Sequence, residues 1–415
     1  MTALATKRGK RKIATPAGEL PADWGWDRID NLGDVVGGIQ KGPHRKAALN
    51  PTRYLTVAHV HANRLELEDV RFFEVTADEL LRWKLLPDDL LIVEGNGSIE
   101  HVGRTALFRG VIGDCVHQNH VIRVRADAGR AFAPFLNAFL NSRRGRKIIQ
   151  SVSSTSSGLR TLSVGKIRNL PVPVPPLSEQ RKISDILGTW DDALNKLDAL
   201  IAAKQQAKQG LMQQLLSGKR RLPGFKAKWV KSRLGLLAEN VSVRNSGDLG
   251  WDRLYAVTKA SGMIPMRAHV MGITTDRCKR VEKDWFAYNP MRLNIGSIAR
   301  WSEANAVMVS PDYVVFRCKE GELSPRYFEH LRQADRWTQF VTGSGNGSVR
   351  VRLYFSDIAR FDILKPPFGE QEAIAAVLGT FDDELRLLRA RRDALDLQKQ
   401  GLMERLLTGT LRVSP

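Results

Sequence analysis

The sequence predicts a mixed α/β protein. Two tandem domains are separated by two long helices that pair antiparallel as a coiled coil, and the whole is a pseudo-two-fold repeat. Three observations predict this. Residues 176–218 return at 367–409 with an ungapped offset of 191 positions and 21 identities in 43 pairs, so the chain contains a duplicated unit. Within each copy the apolar residues recur four and three apart, with no proline after the first residue. Ahead of each copy, several short strand-like runs are followed by one helix-like run.

The long helices fix the frame. Pro175-Pro176 and Pro366-Pro367 force the residues before them into extended conformations and are tolerated only at a helix start. Ser178 is placed to cap the first helix with Glu179 in its first turn, and Gly369-Glu370 occupy the same place in the second. Gly218 and Gly409 stand where a glycine ends a helix. The first seam reads Ile183, Leu187, Trp190, Leu194, Leu197 and Ile201, then Lys204, Lys208, Leu211 and Leu215. The second reads Ile374, Leu378, Phe381, Leu385 and Leu388, then Arg392, Leu395, Lys399, Leu402 and Leu406. Steps of four and three are a coiled-coil seam. Roughly 38 residues at 1.5 Å each give about 57 Å per helix. So narrow a stripe on so long a helix needs a partner, and the other copy supplies it. Arg392 against Ile201, and Leu395 against Lys204, make the seams unlike, which fixes the register of a heterologous pair.

Composition bounds the rest. At 415 residues, 43% apolar and 26% charged, the chain carries two to three domains with full cores. No run of 18 apolar residues is present, so no transmembrane helix is expected. Lys7, Arg8, Lys10, Arg11 and Lys12 lack the apolar stretch that a secretory signal would place after them. The cysteines, Cys115, Cys278 and Cys318, form no CxxC pair and suit a reducing cytoplasm. The net charge of +20 is the electrostatic footprint of a protein that binds a polyanion. Residues 1–19 read as a basic disordered tail.

The larger repeat begins at Leu20-Pro21, with Trp26 and Leu32-Gly33, and again at Leu222-Pro223, with Trp229 and Leu234-Gly235. In the first domain residues 54–60, 89–95, 104–113 and 120–126 read as short strands and 131–151 as a helix. In the second, 253–257, 294–301, 306–310 and 313–319 read as strands and 324–341 as a helix. The order is the same, so these are two divergent copies of one fold, the second shorter. Each ends in a small-residue loop, 151–163 or 342–354, and a short apolar strand then leads into the Pro-Pro pair.

Catalytic signatures fail on chemistry. Residues 341–345 carry a glycine loop of the kind that cradles S-adenosylmethionine, and Lys365-Pro366-Pro367-Phe368 has the outline of an adenine methyltransferase motif. The first residue of that motif must accept a hydrogen bond, and lysine only donates. Residues 97–105 have the wrong spacing for a phosphate-binding loop and lack its lysine. Pro87-Asp88 and Pro311-Asp312 are not followed by the acidic-x-Lys element of nucleases. Neighbouring carboxylates on a helix, as at Asp191-Asp192 and Asp382-Asp383, point about 100° apart and share no metal. They read as a solvated face or a docking surface. His59, His61, His117 and His120 read as strand residues rather than metal ligands.

Three motifs recur in both copies. Pro-Pro-Leu-Ser-Glu-Gln-Arg-Lys-Ile (175–183) matches Pro-Pro-Phe-Gly-Glu-Gln-Glu-Ala-Ile (366–374). Each is followed by Leu-Gly-Thr-aromatic-Asp-Asp (187–192, 378–383) and Gln-Gly-Leu-Met-x-x-Leu-Leu-x-Gly (209–218, 400–409). The arrangement resembles the DNA-specificity (S) subunits of prokaryotic type I restriction–modification systems, over nearly the whole chain after residue 20. The resemblance implies target-recognition domains at 20–176 and 219–367, each reading one half of a split, asymmetric site on double-stranded DNA. Spacer helices at 177–218 and 368–410 would set the gap. It further implies two methyltransferase (M) subunits docked on the helices and restriction (R) subunits completing the complex. S-adenosylmethionine for N6-adenine methylation would be bound by M, and ATP and Mg by R. The chain itself would bind no cofactor and no metal, carry no catalysis, and work in the prokaryotic cytoplasm away from membranes.

DNA contact calls for Lys and Arg on phosphates and for polar side chains at base edges. In the first domain the candidates are Lys41, His44, Arg45 and Lys46, then Asn96, Ser98, His101 and Arg104, and Arg160 in the small-residue loop. In the second they are Arg300 and Trp301, then Asn346, Ser348, Arg350 and Arg352. The residues alone leave two other readings open: a basic coiled-coil scaffold that binds nucleic acid without specificity, and a self-sufficient modification enzyme.

Overall fold

The computed structural model describes residues 11–413 except 43–44, 46–48, 50, 97–99, 157–158, 267–273 and 344–351. It divides into two units, Met1–Asp198 with Arg391–Pro415, and Ala199–Ala390. The division falls inside both long helices, Leu177–Leu216 and Phe368–Leu407, each 40 residues long. Each unit therefore holds one mixed domain, the start of the helix that follows it, and the end of the other helix.

In the first unit a four-stranded antiparallel sheet runs Thr105–Leu107, Leu90–Val93, Val121–Ala126, Gly33–Gly37. Leu90–Val93 is buried along its whole length, so it reads as an unbroken apolar run rather than an alternating one. A second sheet places Cys115–His117 parallel to Pro51–Leu55, with Arg71–Glu74 antiparallel on the other side. The second unit repeats this plan. Ile298–Arg300, Phe286–Tyr288, Val314–Cys318 and Ala238–Val241 form the antiparallel sheet in the corresponding order. Leu254–Thr258 pairs parallel with Val307–Val309 in the other sheet. In both units the strand before the helix, Pro171–Val174 or Asp362–Lys365, pairs antiparallel with the domain's first long-range strand, Gly25–Arg28 or Val230–Arg233.

The helix expected over 131–151 is two helices, Ala133–Asn141 and Arg143–Val152, broken at Ser142. Buried Ser142 donates its hydroxyl to Phe139 O (2.6 Å) and accepts the Gly145 N–H (3.1 Å), so its side chain replaces the helix ladder. Gly145 is required there, because a Cβ would stand 2.1 Å from Phe139 O. The helix expected over 324–341 likewise divides into Pro325–Leu331 and Asp335–Gly343. The tail expected over 1–19 is corrected from residue 12 onward. Lys12–Thr15 and Gly18–Pro21 form a hairpin, because its Ala17 and Leu20 are buried in the first unit's core. Residues 1–10 lie outside the described residues.

The cores show how the helices are held. In the first unit Ile183 and Leu187 share a core with Leu406, Leu407, Leu411 and Val413. In the second, Ile374 and Leu378 share one with Met212, Leu215 and Leu216. Each fully buried leucine contributes about 1.5–3 kcal/mol. Leu194, Leu197 and Leu385 are buried as well, while Trp190, Phe381, Leu388 and Leu402 are half-covered. The pairing is antiparallel. Asp191 meets Lys399 and Asp198 meets Arg392 (3.2 Å) in the first unit, and Lys208 meets Asp382 and Lys204 meets Glu384 (2.6 Å each) in the second. With the 191-residue offset, Asp191–Lys399 and Asp382–Lys208 are the same ion pair in the two copies. Of the carboxylates expected on a solvated face, Asp191 and Asp382 thus neutralise seam lysines, while Asp192 and Asp383 are exposed as expected.

Candidate nucleic-acid interface

The Glu-Gln pair of the repeated motif fastens each domain to its helix. Glu179, nearly fully buried, accepts the Trp24 indole N–H at 3.0 Å and two Arg412 guanidinium N–H groups at 2.8 Å. Its carboxylate holds the Arg412 guanidinium above the ordinary arginine value. Gly409, at φ +64°, packs so closely that a Cβ would lie 2.3 Å from Pro21 Cγ. The second unit rebuilds the same group from the other copy. Glu370 accepts the Trp229 indole N–H at 2.9 Å and Arg221 at 2.6 Å, and Gly218, at φ +72°, faces the Trp229 ring. Gln180 and Gln371 accept the backbone N–H of Phe132 and of Ser324, both at 2.8 Å, and donate to Pro175 O and Pro366 O.

Trp24, not Trp26, is therefore the counterpart of Trp229. Trp26 is 42% exposed on a paired strand, while Trp24 is 3% exposed. By the same registration Ile29–Leu32 corresponds to Leu234–Leu237, so Leu32-Gly33 matches Leu237-Ala238 rather than Leu234-Gly235. The tryptophan precedes its glutamate by 155 residues in the first domain and 141 in the second, a difference of 14 residues.

The two frames match, and the surfaces they present do not. Lys41 is exposed, with its ammonium 5.8 Å from the Tyr54 ring. Arg45 is an internal clamp. It pairs with Glu79 (2.6 and 3.0 Å), donates to Gln40 O and Glu74 O, and its hydrogen bond holds the Glu79 carboxyl down at about 2. His101 is exposed in the turn over 100–103, beside partly buried Arg104, which donates to Val57 O at 2.9 Å. The Arg104 Nε is buried without a partner among the described residues, and burial pulls its guanidinium below the ordinary value. Arg300 is bound to Asp284. Trp301 is a core residue, packed edge-on against Tyr255 with its indole N–H on Asn305 O. A surface role for Trp301 does not fit this burial. Arg352 is exposed. His44, Lys46, Ser98, Asn346, Ser348 and Arg350 lie outside the described residues. Asn96 and Arg160 are placed by backbone alone, paired with each other between two short strands.

The four histidines do not converge. His59 closes a turn with Thr56, His61 lies 3.1 Å from Glu66, and His120 meets Glu94. Buried His117 donates from Nδ1 to Val121 O, and burial pushes its pKa down to about 4. Among the described residues no group of three or more His, Cys, Asp or Glu is placed to hold a metal. Lys365 of the Pro-Pro motif pairs with Glu322, and no described helix is long and apolar enough to cross a membrane.

Sequence reasoning missed the helix Arg143–Val152 as a candidate surface. Arg143, Arg144, Arg146 and Lys147 lie within five residues, with no acid in the whole helix. That run was the available signal. It also missed Arg221 and Arg412, although Gly-x-x-Arg follows both helices at the same 191 offset.

Two basic, structurally repeated domains on a shared antiparallel helix pair define a class: a tandem-repeat protein with one frame and two unlike surfaces. Comparison with known proteins names the family. Residues 88–205 match the type I restriction modification DNA specificity domain. The chain is 22% identical to a putative type I restriction enzyme MjaX specificity subunit of Methanocaldococcus jannaschii, over 96% of each chain. It is 25% identical to the EcoKI specificity subunit of Escherichia coli K12, over 56% of this chain and 48% of that one. It shares the fold of the type I restriction–modification S subunit from M. genitalium, with a TM-score of 0.58 at 14% identity over 94% and 98% of the two chains. A chain from a type I R-M system, solved in a study of complex assembly and conformational transition, gives 0.55 over 94% and 99%. Over nearly its whole length the chain is similar to type I restriction–modification specificity subunits, and residues 88–205 match their DNA specificity domain.

Proposed function

We propose that this chain reads a bipartite, asymmetric duplex site, one half through each mixed domain, and recruits two methyltransferase subunits and restriction subunits to it. The observation that carries this reading is the repeated anchor. Trp24, Glu179, Gly409 and Arg412 recur as Trp229, Glu370, Gly218 and Arg221, while the outward residues of the two domains differ. Identical frames with unlike surfaces suit two half-sites of different sequence. On this reading the chain is non-catalytic. S-adenosylmethionine belongs to the methyltransferase subunits, ATP and Mg to the restriction subunits, and the assembly works in the cytoplasm.

Binding of the complex to duplexes carrying single mismatched base pairs tests the reading. A sequence reader loses about 1–3 kcal/mol per wrong pair, clustered in two blocks. Uniform affinity across all mismatches would favour the non-specific scaffold. Methyl transfer by the purified chain alone would favour the self-sufficient enzyme.

A further inference from the structure

We infer that the basic face of helix Arg143–Val152 is a phosphate-binding strip that grips duplex DNA in the first domain only, without reading bases. The inference rests on the DNA-reading function above and adds a surface to it. Arg143, Arg144 and Lys147 line an open cleft of about 370 Å³ with Glu404 of the second long helix. Three cations face one carboxylate, so the cleft is left with an excess of two positive charges.

The second domain supplies an internal control. The start of Asp335–Gly343 corresponds to that of Arg143–Val152, and Gln213 stands 191 positions before Glu404. There the equivalent site closes on itself: Gln213 Nε2 donates to Asp335 Oδ2 at 3.4 Å. Asp335 takes the place of Arg143, and Gln339 that of Lys147. One copy of the same position is satisfied internally and nearly neutral. The other is open and positive.

The strip continues beyond the cleft. At 100° per residue Arg143, Arg146 and Lys147 share one face, opposite Gly145, Ile148 and Ile149, which turn toward the core. Arg146 donates to Glu100 O at 2.9 Å, so this face runs on to the turn over 100–103 that carries exposed His101. Arg143 and Lys147, four apart, place their Cβ atoms about 5–6 Å from each other. That lets them reach neighbouring phosphates, spaced ~3.4 Å along the axis of one strand. A row of cations along one helix face fits an extended polyanion better than a compact acidic peptide. Arginine and lysine on phosphates position the protein and carry no sequence information.

The test uses the full chain co-purified with its methyltransferase subunit, as wild type, as Arg143→Gln/Lys147→Gln, and as the charge-keeping Arg143→Lys/Lys147→Arg. Affinity for a duplex bearing the methylated motif is measured from 50 to 200 mM salt. Loss of two phosphate contacts lowers the log–log salt slope by about 1.8, so the glutamine variant's deficit changes about tenfold across that range. The charge-keeping variant retains the wild-type slope, and the methylated sequence is the same in all three. An unchanged slope in the glutamine variant overturns the inference. So does normal DNA binding combined with loss of the methyltransferase subunit, which would assign the cleft to an acidic protein partner. A wild-type complex that shows no motif preference would instead sink the DNA-reading function, and the slope would then still report whether the strip holds DNA.

Discussion

Glu370 shows what a single residue does in this molecule. Its carboxylate is fully buried and takes hydrogen bonds from Arg221, which also donates to Ala227 O at 2.9 Å, and from Trp229. A buried pair broken on one side costs about 3–5 kcal/mol, and Arg221 keeps enough exposure to recover part of that. Glu370→Ala should therefore destabilise the second unit by about 2–3 kcal/mol, read as a lower urea midpoint. His117 predicts a pH dependence. Its folded pKa is pushed down to about 4 by burial, below the unfolded value of 6.5. The unfolded chain takes up the proton first, so stability falls as pH drops from 6.5 towards 4, by at most about 1.4 kcal/mol per pH unit. His117→Asn should flatten that slope in urea titrations run across the window. An unaltered slope would assign it to other groups. At this scale the sequence was least legible. Trp26 and Trp24 look alike in a string, and only the pairing of Gly25–Arg28 with Pro171–Val174 shows which one turns inward. Arg45 and Trp301 have the chemistry of DNA contacts, yet Glu79 and Asn305 O occupy them internally.

At the scale of elements, the helix seam was readable because both copies repeat it without a gap. The lysines within it look like faults until Asp191 and Asp382 are found opposite them. Lys208 has a side chain only 10% exposed, while Asp382 is about half exposed. The two partners should therefore respond differently. Asp382→Ala leaves the buried ammonium with the Gln333 amide oxygen at 3.4 Å in place of a carboxylate and should cost about 1–3 kcal/mol. Lys208→Met keeps the volume and frees a carboxylate that can rehydrate, and should cost under about 1.5 kcal/mol. Equal losses in urea titrations would mean that the ion pair does not govern the seam. The break at Ser142 was not readable, since 131–151 has the right apolar period throughout. It is a side-chain hydrogen bond and the close approach of Gly145 to Phe139 O that override it.

At the scale of the whole molecule, duplication explains why the fold was legible and the interface was not. A repeat constrains what is common to its copies: the Glu-Gln helix start, the glycine end, the strand order. The outward residues differ between copies, so the comparison that reveals the frame is silent on the DNA contacts proposed for them. The helices also make a prediction about target geometry. Inserting four residues after both Ala203 and Ala394, about 6 Å or one turn in each helix, should lengthen the gap between half-sites and leave both half-sequences intact. An unaltered gap would show that the helices do not set it. The central claim, that this chain chooses the sequence its complex modifies, is tested most directly by expressing it with its methyltransferase subunit and mapping N6-methyladenine base by base. The account predicts methylation at one split motif, absent when this chain is omitted. Methylation that is absent, scattered, or unaffected by omitting the chain would contradict it.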